Sequence, residues 1–191
     1  MPTSDEVVDR ASALIVIDGI NAFYDRAGAM HYPEVEQTIE PIARLLAEAR
    51  DRRTLVIHTV ERHREGLDDF EWRLLRPHFI EGQFDSEIFP RFAPTQSQEI
   101  VVPKRRYSAF FATDLSLTLR EQGIRTVILA GVKTNVAVRA TAQDAFANGF
   151  HVVIAAEATN SNRPQLAAAS LEDVSRYMGR VVPIDEACSL L

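Results

Sequence analysis

The chain has 191 residues, of which 46% are hydrophobic and 25% are charged. This length suits one domain with one core, and the composition excludes a disordered or fibrous protein. The formal net charge of -6 and the absence of a long basic run argue against nucleic acid as a partner.

Membrane and redox signals are weak in the sequence. No apolar stretch approaches the ~20 residues that a membrane-spanning helix needs. Residues 1–10 carry three acids and one base and lack the apolar core of a signal peptide. We therefore expect a cytoplasmic protein without a membrane partner. The single cysteine, Cys188, has no histidine or basic residue beside it in the sequence, so we interpret it as a structural thiol.

Short apolar runs rich in β-branched residues recur along the chain and predict buried parallel strands. The first run spans 13–17 and the second spans 54–60, with a helical pattern between them. Further runs lie at 100–102, 127–130, 152–155 and 181–182, alternating with helical stretches near 113–122, 135–148 and 164–178. This alternation predicts an α/β fold: one three-layer α/β/α domain over 1–191, with a mostly parallel, six-stranded, Rossmann-like sheet.

The segment 61–99 interrupts the alternation of strands and helices. It contains three prolines, several aromatic residues and no clear strand pattern. Loops of this length inside a compact domain are usually functional, so we expect the segment to contribute to a site.

Three positions fall where an open parallel sheet binds ligands, which is at the carboxyl ends of its strands. Asp18 follows the first predicted strand, Lys104 follows the third, and 131–137 joins the fourth strand to its helix. Each has an ordinary structural explanation, since Asp18 could cap a turn, Lys104 could be solvated and Ala137 is a good helix former. Only their combination indicates a catalytic site.

These positions lie in three blocks of sequence, 13–23, 104–110 and 131–145. In order, residue type and placement the blocks resemble the signature blocks of the isochorismatase-like cysteine hydrolases. Residues 138–142 are similar to N-carbamoylsarcosine amidohydrolases, and 134–136 with 107–111 are similar to ureidoacrylate and biuret hydrolases. The resemblance implies a homodimeric or homotetrameric amidohydrolase that cleaves a C–N bond of a small carbamoyl, ureido or amide substrate without a cofactor.

The resemblance maps the catalytic triad of that family onto Asp18, Lys104 and position 137, where the family has cysteine and this chain has Ala137. A thiol in the first turn of a helix would favour its thiolate form. Asp18 would accept and return its proton, while Lys104 would keep the aspartate ionised and oriented. The backbone N–H groups implied as the oxyanion hole are those of Lys133, Thr134 and Ala137.

The resemblance also implies a cis peptide bond after Val132. Alanine cannot attack a carbonyl carbon, so the covalent route is closed in the chain as written. Three explanations stay open: a Cys-to-Ala substitution introduced to trap substrate, a vinyl ether hydrolase of the isochorismatase type that uses Asp18 as general acid, and a non-catalytic binding protein. An isochorismatase needs cations for two carboxylates, whereas a ureido substrate needs amide-type donors and acceptors and, for a terminal acid, one cation.

Further residues are expected to bind substrate, although packing or a local turn explains each of them equally well. They are Asn21, Phe23, His58, Trp72 and Tyr107. Phe23 would lie over the pocket mouth, Tyr107 would donate its hydroxyl, and Trp72 would act as a lid.

Relatives that hydrolyse nicotinamide bind zinc with an aspartate and two histidines near the second strand. In this chain the corresponding residues are Glu61 with the differently spaced His58 and His63, so we predict no metal site.

Overall fold

The computed structural model describes residues 11–191. Residues 1–10, where the sequence predicts no signal peptide, lie outside the described residues. The strands are β1 (Ser12–Ile17), β2 (Leu55–Glu61), β3 (Glu99–Lys104), β4 (Thr126–Val132), β5 (His151–Asn160) and β6 (Gly179–Val182). They form a six-stranded sheet in the order β3-β2-β1-β4-β5-β6, and each neighbouring pair is parallel. The predicted α/β fold with a parallel six-stranded sheet is therefore confirmed.

Six α-helices connect or follow the strands in the described part of the chain. They are α1 (Asn21–Tyr24), α2 (Ile39–Asp51), α3 (Leu115–Glu121), α4 (Arg139–Ala147), α5 (Pro164–Tyr177) and α6 (Ile184–Ser189). Short 3-10 helices occupy Pro33–Thr38, Glu71–Arg73, Phe84–Ser86 and Pro90–Phe92. A π-helical turn, Thr134–Val138, precedes α4, so the helix predicted at 135–148 is divided in two.

Apolar side chains cover both faces of the sheet, which gives the fold its three layers. Along β1, Leu14 and Val16 pack into one cluster, while Ala13, Ile15 and Ile17 pack into the other. This alternation follows from the two-residue period of a strand, and burial on both faces explains the continuous apolar run in the sequence. Helices α2 and α6 cover the first cluster, and α3, α4 and α5 cover the second.

The strand order reverses between β1 and β4, and the loops after these two strands therefore leave the sheet side by side. At the end of the pair, Ile17 lies opposite Gly131. A Cβ atom on Gly131 would lie 2.0 Å from the Ile17 carbonyl oxygen, and the residue has a φ of 111°, so only glycine fits there. This close approach brings Asp18 near the segment that contains position 137.

The chain between β2 and β3 crosses the carboxyl end of the sheet without a strand of its own. An isolated bridge between Ile20 and Ile88 attaches it to the chain after β1, and a second bridge, between His63 and Ile80, lies within the segment itself. In the part of the chain that the structure describes, no helix is long and apolar enough to cross a membrane.

Candidate active site

Asp18 is buried at the carboxyl end of β1, with a φ of 50°. Its Oδ1 accepts a hydrogen bond of 3.0 Å from the backbone N–H of Glu61, and its Oδ2 accepts one of 2.8 Å from Lys104 Nζ. Burial raises the pKa of the Asp18 carboxyl to about 7, with the charge of Glu61 adding to the rise and Lys104 opposing it. A carboxyl with a pKa near neutral can both accept and return a proton.

Lys104, the last residue of β3, is enclosed between two carboxylates. Its side chain is 0% exposed, and Nζ lies 2.8 Å from Asp18 Oδ2 and 3.1 Å from Glu61 Oε2. Burial alone would lower the pKa of Lys104, but the two negative charges outweigh it and the pKa is raised. The ammonium therefore stays charged and fixes the orientation of Asp18.

Glu61 is the third charged member of this network, and the sequence analysis did not assign it a role. It ends β2, where the register of the sheet places it beside Lys104. Burial would raise the pKa of Glu61, but Lys104 and hydrogen bonds from His63 and His78 hold it well below its usual range. Its proximity to Lys104 depends on the pairing of β2 with β3, which the sequence does not specify.

Position 137 faces the same cavity as Asp18. This cavity, called the Asp18 cavity below, has a volume of about 300 Å³ and is lined by Asp18, Phe23, Met30, Glu61, Glu71, Leu75, His78, Phe79, Tyr107, Val132, Lys133, Val136 and Ala137. Ala137 lies in the π-helical turn Thr134–Val138, in which the Val138 N–H donates to the Lys133 carbonyl at 3.2 Å. The sequence placed it in the first turn of an α-helix, whereas α4 begins two residues later.

The backbone around position 137 includes a cis peptide bond between Val132 and Lys133. Thr134 is buried, and its Oγ1 lies 2.8 Å from Thr159 Oγ1. The oxyanion hole predicted at the N–H groups of Lys133, Thr134 and Ala137 stays a prediction.

Of the residues predicted to bind substrate, Phe23 and Tyr107 line the Asp18 cavity. Phe23 also packs edge-on against Phe79, with 5.4 Å between ring centroids, so it serves the core as well. Tyr107 is 37% exposed, and burial together with the charge of Glu71 raises the pKa of its hydroxyl to about 12. Tyr107 is therefore a neutral hydrogen-bond donor at the cavity wall.

The other three residues predicted to bind substrate are not among those that line the Asp18 cavity. His58 lies inside β2, with Nε2 3.0 Å from Glu99 Oε2. The Nδ2 group of Asn21 donates to the Phe84 carbonyl at 3.1 Å. Trp72 packs against His63, with 5.5 Å between ring centroids, and lines a separate cavity.

Lys133 is a cation on the wall of the Asp18 cavity that has no acidic partner among the described residues. Its Nζ lies 5.7 Å from the centroid of the Phe23 ring and 5.3 Å from that of Tyr32, over aromatic faces that attract a cation. Burial and, to a smaller extent, the charge of Arg163 lower the pKa of Lys133. An anionic group in the cavity would therefore relieve an uncompensated positive charge.

A group of four side chains, three of which line the Asp18 cavity, could hold a metal ion. This Glu–His cluster consists of Glu61, His63, Glu71 and His78, whose candidate ligand atoms lie within 4.8 Å of one another. The Nε2 atoms of the two histidines lie 3.2 and 3.4 Å from Glu61 Oε1, and His78 Nε2 lies 3.5 Å from Glu71 Oε1. Such separations match the ~3.3 Å between neighbouring ligands on a tetrahedral zinc ion.

The outer nitrogens of both histidines in the Glu–His cluster already have partners. His63 Nδ1 lies 2.9 Å from Asp69 Oδ2, and His78 Nδ1 lies 2.7 Å from the Arg76 carbonyl oxygen. Metal-binding histidines are oriented in this way, so the residues fit a divalent ion, which would supply positive charge at the cavity wall.

No pattern in the sequence indicated Glu71 or His78, which come from the irregular chain between β2 and β3. Burial would lower the pKa of His78, but Glu61 and Glu71 raise it to about 10. A protonated His78 therefore offers a second way to balance these carboxylates. The prediction that the chain binds no metal stays a prediction.

The comparisons with known proteins find an isochorismatase domain and similar hydrolases. The isochorismatase domain model matches residues 12–186. The chain is 34% identical over 187 residues to maleamate amidohydrolase of Pseudomonas putida, covering 95% of this chain and 87% of that protein. It is 32% identical over 200 residues to ureidoacrylate amidohydrolase RutB of Variovorax paradoxus, covering 92% and 79%. The solved nicotinamidase/pyrazinamidase PncA of Bacillus subtilis superposes with a TM-score of 0.84 at 33% identity, covering 90% and 99%.

Proposed function

The chain belongs to the isochorismatase domain family, its relatives include amidohydrolases, and we propose that the Asp18 cavity is built to cleave a C–N bond of a small carbamoyl, ureido or amide substrate. The observation that carries this proposal is that Asp18 and position 137 line one cavity, while Lys104 Nζ lies 2.8 Å from Asp18 Oδ2.

In the proposed mechanism, a thiol at position 137 transfers its proton to the Asp18 carboxylate and its sulfur attacks the carbonyl carbon. The C–N bond breaks as the Asp18 carboxyl returns that proton to the leaving nitrogen, which leaves an acyl-enzyme. Water then attacks the acyl group, giving one proton to Asp18, which protonates the departing sulfur. Lys104 keeps the carboxylate oriented throughout these steps.

The chain as written has Ala137 and therefore lacks the attacking atom. We infer that it keeps the pocket but does not form the acyl-enzyme. The small methyl group leaves the space of the missing sulfur open to substrate.

The charge distribution favours a substrate with one carboxylate over isochorismate, which carries two. Lys133 is the cavity cation without an acidic partner among the described residues, whereas His78 is balanced by Glu61 and Glu71. An isochorismatase would need a second free cation in the same cavity. This supports an amic or ureido acid whose carboxylate binds Lys133.

The test is a paired assay of ammonia release by the given chain and by Ala137→Cys, with N-carbamoyl amino acids, biuret and ureidoacrylate as substrates. Activity is expected only in the variant, and iodoacetamide should abolish it. Loss of a nucleophile costs several powers of ten in rate, so the contrast should be large.

Two controls accompany this assay. Ala140→Cys places a thiol in α4, away from the cavity lining, and should stay inactive. Cys188 is buried, and burial raises the pKa of its thiol, so alkylation of the given chain should change nothing. If neither the unchanged chain nor Ala137→Cys turns over any substrate, the result favours a non-catalytic binding protein. If the unchanged chain cleaves a vinyl ether and Asp18→Asn does not, the result favours a vinyl ether hydrolase of the isochorismatase type.

A further inference from the structure

A second cavity lies at the carboxyl ends of β2 and β3, beside the edge of the sheet. It has a volume of about 510 Å³ and shares no lining residue with the Asp18 cavity. Four arginines, Arg62, Arg64, Arg105 and Arg106, line it, together with Glu81 and the ring of Phe111. We call it the arginine cavity.

Two of these arginines are held in place by a buried carboxylate. Arg105 Nη2 lies 2.6 Å from Asp69 Oδ2, and Arg106 Nη1 lies 3.0 Å from Asp69 Oδ1. Asp69 is itself fixed, because its Oδ2 is 2.9 Å from His63 Nδ1 and its Oδ1 accepts from the Glu71 N–H at 3.0 Å. The two guanidiniums are therefore positioned before any ligand arrives, which reduces the ordering cost of binding.

Donors in the arginine cavity exceed the acceptors that the fold supplies. Within residues 11–191, Arg64 has no hydrogen-bond or ion-pair partner, and the buried Nε of Arg105 has no acceptor. Arg62 Nε donates a long hydrogen bond of 3.4 Å to the Ser86 carbonyl, and the nearest carboxylate to Arg62 is that of Glu87, at 3.8 Å. Buried N–H groups normally have partners, so the fold leaves part of the hydrogen-bonding capacity of Arg105 unused.

We propose that the arginine cavity binds a small organic anion carrying at least two negative charges on phosphate or carboxylate groups. Guanidinium groups match the planar, two-point geometry of both groups better than other side chains do. The volume lies within the usual range for ligand sites, and the carboxyl end of a parallel sheet is where such sites occur. Phe111, which is 58% exposed, provides an apolar wall for the rest of the ligand.

The test is isothermal titration of the given chain with pyrophosphate and, separately, with citrate, at constant ionic strength. We expect saturable binding of at least one of them, which also tells phosphate from carboxylate chemistry. Arg64→Gln should weaken this binding about tenfold, as expected for loss of a charge-assisted hydrogen bond, and Arg62→Gln should weaken it as well. Because no turnover is needed, the result does not depend on the proposed amide hydrolysis.

The matched control is Arg125→Gln. Arg125 is exposed, has no side-chain partner among the described residues and precedes β4, at the opposite end of the sheet. It should leave the affinity unchanged, so an equal loss in Arg125→Gln and Arg64→Gln would reduce the effect to general charge attraction and overturn the proposal. Failure of both anions to bind would overturn it too. So would a change of oligomeric state in Arg64→Gln without anion binding, because the arginines would then serve contacts between copies of the chain.

Discussion

Replacing Lys104 by methionine tests whether the buried ammonium holds the active-site carboxylates together. Methionine fills a similar volume but carries no charge, so Asp18 and Glu61 would face each other without the ion 2.8 and 3.1 Å from their oxygens. Removing one partner of a buried ion pair costs about 3–5 kcal/mol because the remaining charge is uncompensated. Lys104 has two such partners, so we expect a loss in the upper part of that range at neutral pH.

The loss should depend on pH with a defined sign. Without Lys104, burial and the charge of Glu61 raise the pKa of Asp18 still further above its ordinary value of about 4. The native state then binds more protons than the unfolded state, so the stability of Lys104→Met falls as pH rises above about 4 until the raised pKa of Asp18 is passed. The deficit relative to the unchanged chain should therefore be larger near pH 7.5 than near pH 5.

Urea denaturation of both proteins at about pH 5 and about pH 7.5 measures this deficit from the midpoints and slopes. The control is Lys104→Met combined with Glu61→Gln, which removes one of the two facing charges and should recover part of the stability at the higher pH. A deficit below about 1 kcal/mol, or one that is the same at both pH values, would refute the reasoning.

Three further predictions concern the proposed chemistry. In the Ala137→Cys enzyme, Lys133→Met should raise KM for a ureido acid about tenfold and leave KM for a neutral amide unchanged. Lys133→Arg should keep the preference for the ureido acid, and equal effects of Lys133→Met on both substrates would contradict the prediction. The kcat/KM of Ala137→Cys should rise with pH through about 7, because Asp18 must be ionised to accept the thiol proton. Glu61→Gln should move this rise to lower pH, because the charge of Glu61 raises the pKa of Asp18. A rise that stays at the same pH would contradict this effect of Glu61. If Co²⁺, followed by its absorption spectrum, binds at the Glu–His cluster, His78→Ala should weaken the binding at least about tenfold and His31→Ala should leave it unchanged. Unchanged affinity in His78→Ala would exclude the Glu–His cluster.

The sequence predicts the fold well because its signals are local. Runs such as 13–17 are rich in β-branched residues, and the structure buries them on both faces of the sheet. The short helices α1 and α6, of four and six residues, span too few turns to produce a detectable helical period.

The candidate site is only partly predictable, because several of its contacts depend on how distant segments pair. Asp18 and Lys104 follow from their positions at strand ends, but Glu61 joins them only through the register of β2 with β3. His58 was expected to bind substrate, and the structure places it in the middle of β2 beside Glu99. His78 comes from a segment without periodicity, and no rule for local structure assigns it to the cavity.

The central claim is that position 137 and Asp18 form the site of covalent amide cleavage. The most direct measurement is peptide mass spectrometry of Ala137→Cys after acid quenching during turnover of a slow ureido or amide substrate. The account predicts a mass increase equal to the substrate's acyl group on the peptide that contains position 137, with no such adduct in the given chain or in Ala140→Cys. Turnover by Ala137→Cys without this adduct, or an adduct confined to the peptide that contains Cys188, would contradict it.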